Sequence, residues 1–271
     1  MRRIAHLSDV HFGTEDPRVV RQVVAAVNSL EPDIVVVSGD LTQRARSREF
    51  IAARSFLDQL PGPQIVVPGN HDIPAHNLFA RFITPLAKYR RFITDDLMPA
   101  YIDEELAIVG INTARSNVVK GGRINQDQIN IVRSRLCPLN DAVLKIVVTH
   151  HPFELPANSP HSDVVGRAGM AVEELAECGA DLLLAGHLHV SHIDTTAKRY
   201  KLEDGGNALV VQAGTATSSR VRGEPHSFNL LEFDQPRLSV TRLESHDVGE
   251  IFAPAETKSY IKSGKGWLRG G

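Results

Sequence analysis

The sequence predicts an α/β protein with parallel strands, and three observations predict it. Short runs of branched apolar residues recur along the chain, of the kind that fit strands buried on both faces. Stretches with apolar residues at helical spacing separate the early runs. The runs also stop abruptly in polar side chains, and in open α/β sheets ligands sit beyond the carboxyl ends of strands.

Arg3 to Leu7 reads as the first strand, ending in Ser8-Asp9-Val10-His11. Asp16 is an N-cap and Pro17 a first-turn proline. Val20, Val23, Val24, Val27 and Leu30 then recur at helical spacing, so a helix is expected from Pro17 to Leu30. Asp33 to Val37 is a second strand, ending in Ser38-Gly39-Asp40. Ser47 is read as the cap of a helix with Phe50, Ala53, Leu57 and Leu60 on one face, closed by Pro61-Gly62-Pro63. The third strand, Ile65-Val66-Val67, is stopped by Pro68 and Gly69, because proline cannot donate to a ladder and glycine permits a sharp turn. Asn70-His71-Asp72 follow at once. An order of β-α-β-α-β implies parallel strands with right-handed crossovers, which puts Asp9, His11, Asp40, Asn70 and His71 on one edge.

Leu78 to Met98 mixes aromatic and basic residues and reads as irregular helix broken at Pro85, an insert (about 77–98) covering the sheet end or touching a membrane. Leu106 to Ile111 is a strand ending in Asn112-Thr113-Ala114-Arg115. A helix from Asn125 to Leu136 precedes strand Lys145 to Val148, which ends in Thr149-His150-His151-Pro152. Ala168 to Cys178 is helix with Gly179 as a left-handed cap, and strand Asp181 to Leu184 ends in Gly186-His187-Leu188-His189. Ala208 to Gln212, Ser227 to Phe233 and Arg237 to Leu243 read as antiparallel strands. One domain (1–250) with two sheets is expected, followed by a tail (251–271), frayed or laid on a partner subunit.

At 271 residues and a net charge of -2, nothing in the totals favours a nucleic-acid backbone or an anionic membrane. Cys137 and Cys178 lie far apart in helical contexts and are expected to be reduced core thiols. No signal peptide and no membrane span is apparent, which makes a cytoplasmic location the expectation.

Histidines, carboxylates and an amide at the ends of five strands would leave costly unsatisfied groups unless a cation joined them. Imidazole and carboxylate together suit Mn, Fe, Zn or Ni, and the lack of nearby cysteine disfavours a structural zinc site. Asp-x-His and His-x-His place both side chains on one side of an extended segment. The donors are too many for one ion and about right for two.

Asp9-Val10-His11, Gly39-Asp40, Gly69-Asn70-His71-Asp72, His150 with His151-Pro152, and Gly186-His187-Leu188-His189, in that order, resemble the calcineurin-like metallophosphoesterase superfamily, and most of all its class III cyclic nucleotide phosphodiesterase branch. The resemblance runs from about Ile4 to Leu231. It implies a four-layer α-β-β-α sandwich of two mixed sheets flanked by helices, with a binuclear centre on top. By position, Asp9, His11 and His189 would hold one metal, Asn70, His150 and His187 the other, and Asp40 would bridge. His150 is taken over His151 because the family's ligand lies two residues before the proline. Many members carry a second Asp three residues after the Gly-Asp, bracing the site histidine; here that position is Gln43, as the cyclic nucleotide branch commonly has it.

The implied chemistry is in-line attack on phosphorus by a hydroxide shared between two divalent ions. His71 would be the catalytic residue, donating to a phosphoryl or leaving-group oxygen, with Asn70 and Arg115 beside the substrate and Arg220 and Arg222 as further candidates. Asp72 would orient the turn. The expected activity is phosphodiesterase action on a cyclic nucleotide or another small diester, in a possible homo-oligomer. The alternatives are a pyrophosphate hydrolase acting on a lipid-linked sugar nucleotide, with the insert as an acyl-binding cap, and a generic phosphomonoesterase. A nuclease is disfavoured by the charge, and a non-catalytic scaffold by the full ligand set.

Overall fold

A computed structural model describes residues 1–75, 77–118, 121–156, 163–201, 206–218, 224–246, 251–264 and 266–270. In chain order, β1 (Arg2–Leu7), α1 (Pro17–Ser29), β2 (Ile34–Val37), α2 (Ser47–Leu57) and β3 (Gln64–Val66) come first. The short helices α3 (Leu78–Ile83) and α4 (Ala87–Phe92) flank Pro85. Then come β4 (Ala100–Ile102), β5 (Leu106–Gly110), α5 (Gln126–Leu136), β6 (Leu144–Val148), α6 (Ala168–Glu177) and β7 (Leu182–Ala185). The chain ends in strands β8 (His192–Thr195), β9 (Leu209–Gln212), β10 (His226–Asp234), β11 (Arg237–Ser245), β12 (Ala253–Ser263) and β13 (Gly266–Arg269).

Two mixed sheets form, in the orders β13-β12-β11-β10-β1-β2-β3 and β4-β5-β6-β7-β9-β8. Strand alternation builds the layers. Ile4, Ile34, Val36, Ile65 and Val67 of the first sheet meet Ile108, Ile146, Val148 and Leu184 of the second between the sheets. On the opposite face of β2, Val35 and Val37 join Val19, Val23 and Val27 of α1 and Phe50 and Phe56 of α2. Val109, Val147 and Leu183 face Ile129, Val132 and Leu136 of α5 and Val172 and Leu175 of α6. Apolar side chains leave water on both faces of each sheet, which is why the central runs read as continuous apolar stretches.

Several local expectations change. Ser47 is the first residue of α2 and not its cap; Arg46 precedes it, and the Glu49 carboxylate accepts from Arg46 N (3.2 Å) and Arg44 N (2.8 Å). β9 is not purely antiparallel, since it pairs parallel with β7 and antiparallel with β8. The edge strands β4 and β8 carry too little apolar pattern to stand out in the sequence, and their pairing with β5 and β9 creates them. The tail is not frayed: β12 pairs antiparallel with β11 and β13 with β12, placing Tyr260 and Trp267 in the core between the sheets.

The cysteine expectation is also corrected. Cys137 and Cys178 form a disulfide across 41 residues, with Cα atoms 4.3 Å apart. Each is the C-cap of its helix, and α5 and α6 run side by side, with Arg133 of α5 bonded to Glu174 and Glu177 of α6. Packing of two helices, invisible in residue spacing, brings the thiols together. Among the described residues no helix is long and apolar enough to cross a membrane.

Candidate metal centre

The carboxyl ends of β1, β2, β3, β6 and β7 meet on one rim, and backbone bonds tie them: Asp9 N donates to Gly39 O (3.1 Å), His11 N to Asp40 O (3.0 Å), and Gly186 N to His150 O (3.1 Å). Asp9, His11, Asp40, His187 and His189 all have left-handed backbone, with φ of 53, 47, 52, 74 and 59°. Non-glycine residues avoid this region, so these five turns on one rim are held against strain by the structure around them. Gly69 and Gly186 permit close approach: a Cβ on the first would strike Asp40, and on the second Ser8 and Asp9.

Asp9 Oδ1 lies 3.3 Å from His189 Nε2 and 3.5 Å from His11 Nε2. Asp40 Oδ2 lies 3.6 Å from His11 Nε2 on one side and 3.3 Å from His150 Nε2 on the other. His150 Nε2 is also 3.2 Å from Asn70 Oδ1. The His187 ring sits 5.1 Å from that of His150 and 4.6 Å from that of His151. Ligand atoms of Asp9, His11 and His189 form one compact group, Asp9, Asp40 and His150 a second, and His150, His151 and His187 a third. The structure thus brings together Asp9, His11, Asp40, Asn70, His150, His187 and His189, with the neighbouring His71 ring 4.9 Å from His11.

The rings are oriented from behind. Ser38 O holds His150 Nδ1 at 2.8 Å, and Thr113 Oγ1 holds His151 Nδ1 at the same distance. Thr215 Oγ1 lies 2.7 Å from His189 Nδ1. His71 Nδ1 donates to Gln43 O at 2.9 Å, so the residue in place of the family's second Asp braces His71 through its backbone. The Asp72 carboxylate accepts from Gly69 N, Leu41 N, Thr42 N and Thr42 Oγ1 at 2.9–3.2 Å, joining the second and third strand ends.

Burial works against charge throughout this cluster, and the neighbours decide the outcome. At Asp9 burial is outweighed by His189 and His11, which hold the carboxyl well below the usual range. At Asp40 burial yields likewise to His150, and the carboxyl is strongly depressed. Burial also opposes a proton on His150, but Asp40 beside it raises the imidazole to about 9. Burial, reinforced by His150, pushes His187 down to about 3. Asp72 rises to about 6, because burial and the charge of Asp40 outweigh its hydrogen bonds.

These residues fit divalent transition ions. The donors are imidazoles, carboxylates and an amide, with no thiolate among them. Asp9 Oδ1 is buried without a hydrogen bond of good geometry, a lone pair that a cation would satisfy.

Other candidates fare differently. Arg115, just past the end of β5, donates from its guanidinium to Asn112 O (3.0 Å), Ala114 O (2.9 Å) and Gln128 Oε1 (2.5 Å), bracing that strand end against α5. Arg220 and Arg222 lie outside the described residues. Thr113 and Thr215 escaped the sequence reading, since a lone threonine after a strand carries no metal signature.

The calcineurin-like phosphoesterase family model matches residues 2–191. The chain is 26% identical over 199 residues to a glycerophosphodiester phosphodiesterase, GpdQ, of Enterobacter lignolyticus, covering 69% of this chain and 70% of that one. It is 24% identical over 246 residues to a probable cyclic nucleotide phosphodiesterase of Synechococcus sp., covering 87% and 83%. In fold it is similar to the purple acid phosphatase PPD1 of yellow lupin seeds, at a TM-score of 0.72 and 13% identity. That match covers 95% of this chain and 53% of the lupin chain, so this chain spans about half the length of that neighbour. With the family model spanning most of its length, the chain belongs to the calcineurin-like phosphoesterase family.

Proposed function

We propose that this metal-dependent phosphoester hydrolase acts on small phosphodiesters. Asp9, His11 and His189 would hold one divalent ion, Asn70, His150 and His187 a second, and Asp40 would be shared. One observation carries the reading: Asp40 Oδ2 stands between His11 Nε2 (3.6 Å) and His150 Nε2 (3.3 Å), where a single oxygen can serve two ions. When bound, the ions supply Lewis acidity toward the phosphoryl oxygens and an activated water for in-line attack at phosphorus. Mn, Fe, Zn and Ni all suit the donors.

The protein's own groups do the rest. Asp9, His11, Asp40 and His150 are buried, which strengthens the interactions of their charges. Asn70 and His71 would meet the phosphate, and the His71 ring, 4.9 Å from that of His11, supports this. His71 gives its Nδ1 proton to Gln43 O, so Nε2 is the nitrogen left to exchange a proton with a leaving-group oxygen. The relatives named for glycerophosphodiesters and cyclic nucleotides support the diester class.

The test is a panel with each of these metals added in turn: a bis-aryl phosphate, an aryl monophosphate, a cyclic nucleotide and a glycerophosphodiester. A kcat/KM on the monoester equal to or above that on every diester defeats the reading. A second reading, hydrolysis of a lipid-linked pyrophosphate, is favoured by the exposed Leu78, Phe79, Phe82 and Ile83 of α3. Saturable turnover of such a lipid in preference to the bis-aryl phosphate would select it.

A further inference from the structure

His189 is held by a residue that lies outside the stretch the family model matches. The loop after β9, Ala213 to Ser218, is clamped to the segment following β1: Ala216 N donates to Ser8 O (3.1 Å) and Thr217 Oγ1 to Val10 O (2.7 Å). Ala213 N donates to Ala185 O at the end of β7 (2.9 Å), and Ser227 N of β10 donates to Thr215 O (3.0 Å). The backbone of Thr215 is therefore set by three strand ends. Its hydroxyl lies 2.7 Å from His189 Nδ1, and both residues are buried.

The other imidazole beside Asp9 has no such support, because His11 Nδ1 is buried without a hydrogen-bond partner. The His11 and His189 rings stack with centroids 5.0 Å apart, and their Nε2 atoms are 3.2 Å apart, both beside Asp9 Oδ1. Ser8 Oγ (2.7 Å) and His187 N (2.9 Å) hold the Asp9 carboxylate, and of the two imidazoles beside it His189 is the one braced at Nδ1, by Thr215.

We infer that Thr215 is the positioning residue for the Asp9–His11–His189 half: its hydroxyl oxygen accepts the Nδ1 proton of His189, leaves Nε2 to ligate, and sets the affinity of that half for its ion. The inference rests on the ligand assignment proposed above. An imidazole ligates through an unprotonated nitrogen while its other nitrogen carries the proton, and the group receiving that proton fixes both tautomer and ring angle. The loop's backbone clamps do not use the Thr215 hydroxyl. Thr215→Val therefore removes the brace and keeps the clamps, and Thr215→Ser keeps the brace.

The full chain, stripped with chelator, is titrated with Mn(II) by calorimetry. Thr215→Val is expected to weaken one of two binding steps by about 10–100-fold and leave the other in place, while Thr215→Ser binds as the wild type does. Melting of the chelated variants serves as the control for the fold. Two wild-type steps left unchanged in a folded Thr215→Val overturn the role of Thr215 alone. A wild type without two steps overturns the ligand assignment and this inference with it. Should Thr215→Val fail to fold, the imidazole nitrogen spectrum of the wild type decides: a proton on Nδ1 of His189 supports the brace, and a proton on Nε2 overturns it.

Discussion

His150 Nε2 stands 3.3 Å from Asp40 Oδ2, although the two residues belong to different sheets and to strands far apart in the chain. Asp40 closes the β2 end and His150 the β6 end, so the contact spans the junction between the sheets. Changing Asp40 to Asn removes the charge that two ions would share. The variant is expected to retain at most one ion per chain by elemental analysis, where the wild type retains two, and to lose nearly all diester turnover.

Changing His71 to Ala tests the proton-exchanging group separately from the metals. Turnover should fall by about 10²–10⁴-fold, the usual range for a general acid or base. Metal content should stay at the wild-type level, because no ligand is altered. Loss of metal would move His71 into the ligand set.

Removal of metal is reversible under this reading. Dialysis against a chelator should abolish hydrolysis, and adding back Mn, Fe, Zn or Ni singly should restore it to different degrees. Activity that survives with no metal detectable contradicts the proposed chemistry.

His6 lies below the rim, fully buried, with Nε2 2.9 Å from Ser38 Oγ. Burial lowers it from 6.5 to about 3, against the pull of Asp9. The unfolded chain therefore takes the proton first. The stability due to neutral His6 is fully present above pH 6.5 and declines as the pH falls toward 3. The slope is at most about 1.4 kcal/mol per pH unit. Denaturant midpoints at pH 7 and pH 5 should draw apart less in His6→Gln than in the wild type.

The Cys137–Cys178 bond closes a long loop in the unfolded chain, a constraint worth about 2–4 kcal/mol. Reductant should lower the unfolding midpoint of the wild type and leave that of the doubly Ser-substituted chain unchanged. Intact mass without reductant should be two hydrogens below the reduced mass.

Trp267, the only tryptophan, is buried between the sheets and donates from Nε1 to Asp181 O at 3.1 Å. Its emission should be blue-shifted in the native protein. Trp267→Ala should cost about 3–5 kcal/mol, as for other buried aromatics. A change below 1 kcal/mol would show the last strands to be dispensable.

The central strands and the polar residues at their ends were legible along the chain because both are local. A buried parallel strand needs a run such as Ile34-Val35-Val36-Val37, and a turn that halts it in Ser-Gly-Asp announces itself. The order of these pieces along the chain carries the family's pattern. Tertiary structure alone decided what depends on partners distant in sequence. It joined Cys137 to Cys178, drew the tail into the first sheet, tied Arg115 to carbonyls near the end of β5, and placed Thr215 behind His189. The physical reason is shared by all four: a hydrogen bond, a disulfide or an edge strand is chosen by which neighbour packing delivers, and a residue's own chemistry only limits the choice.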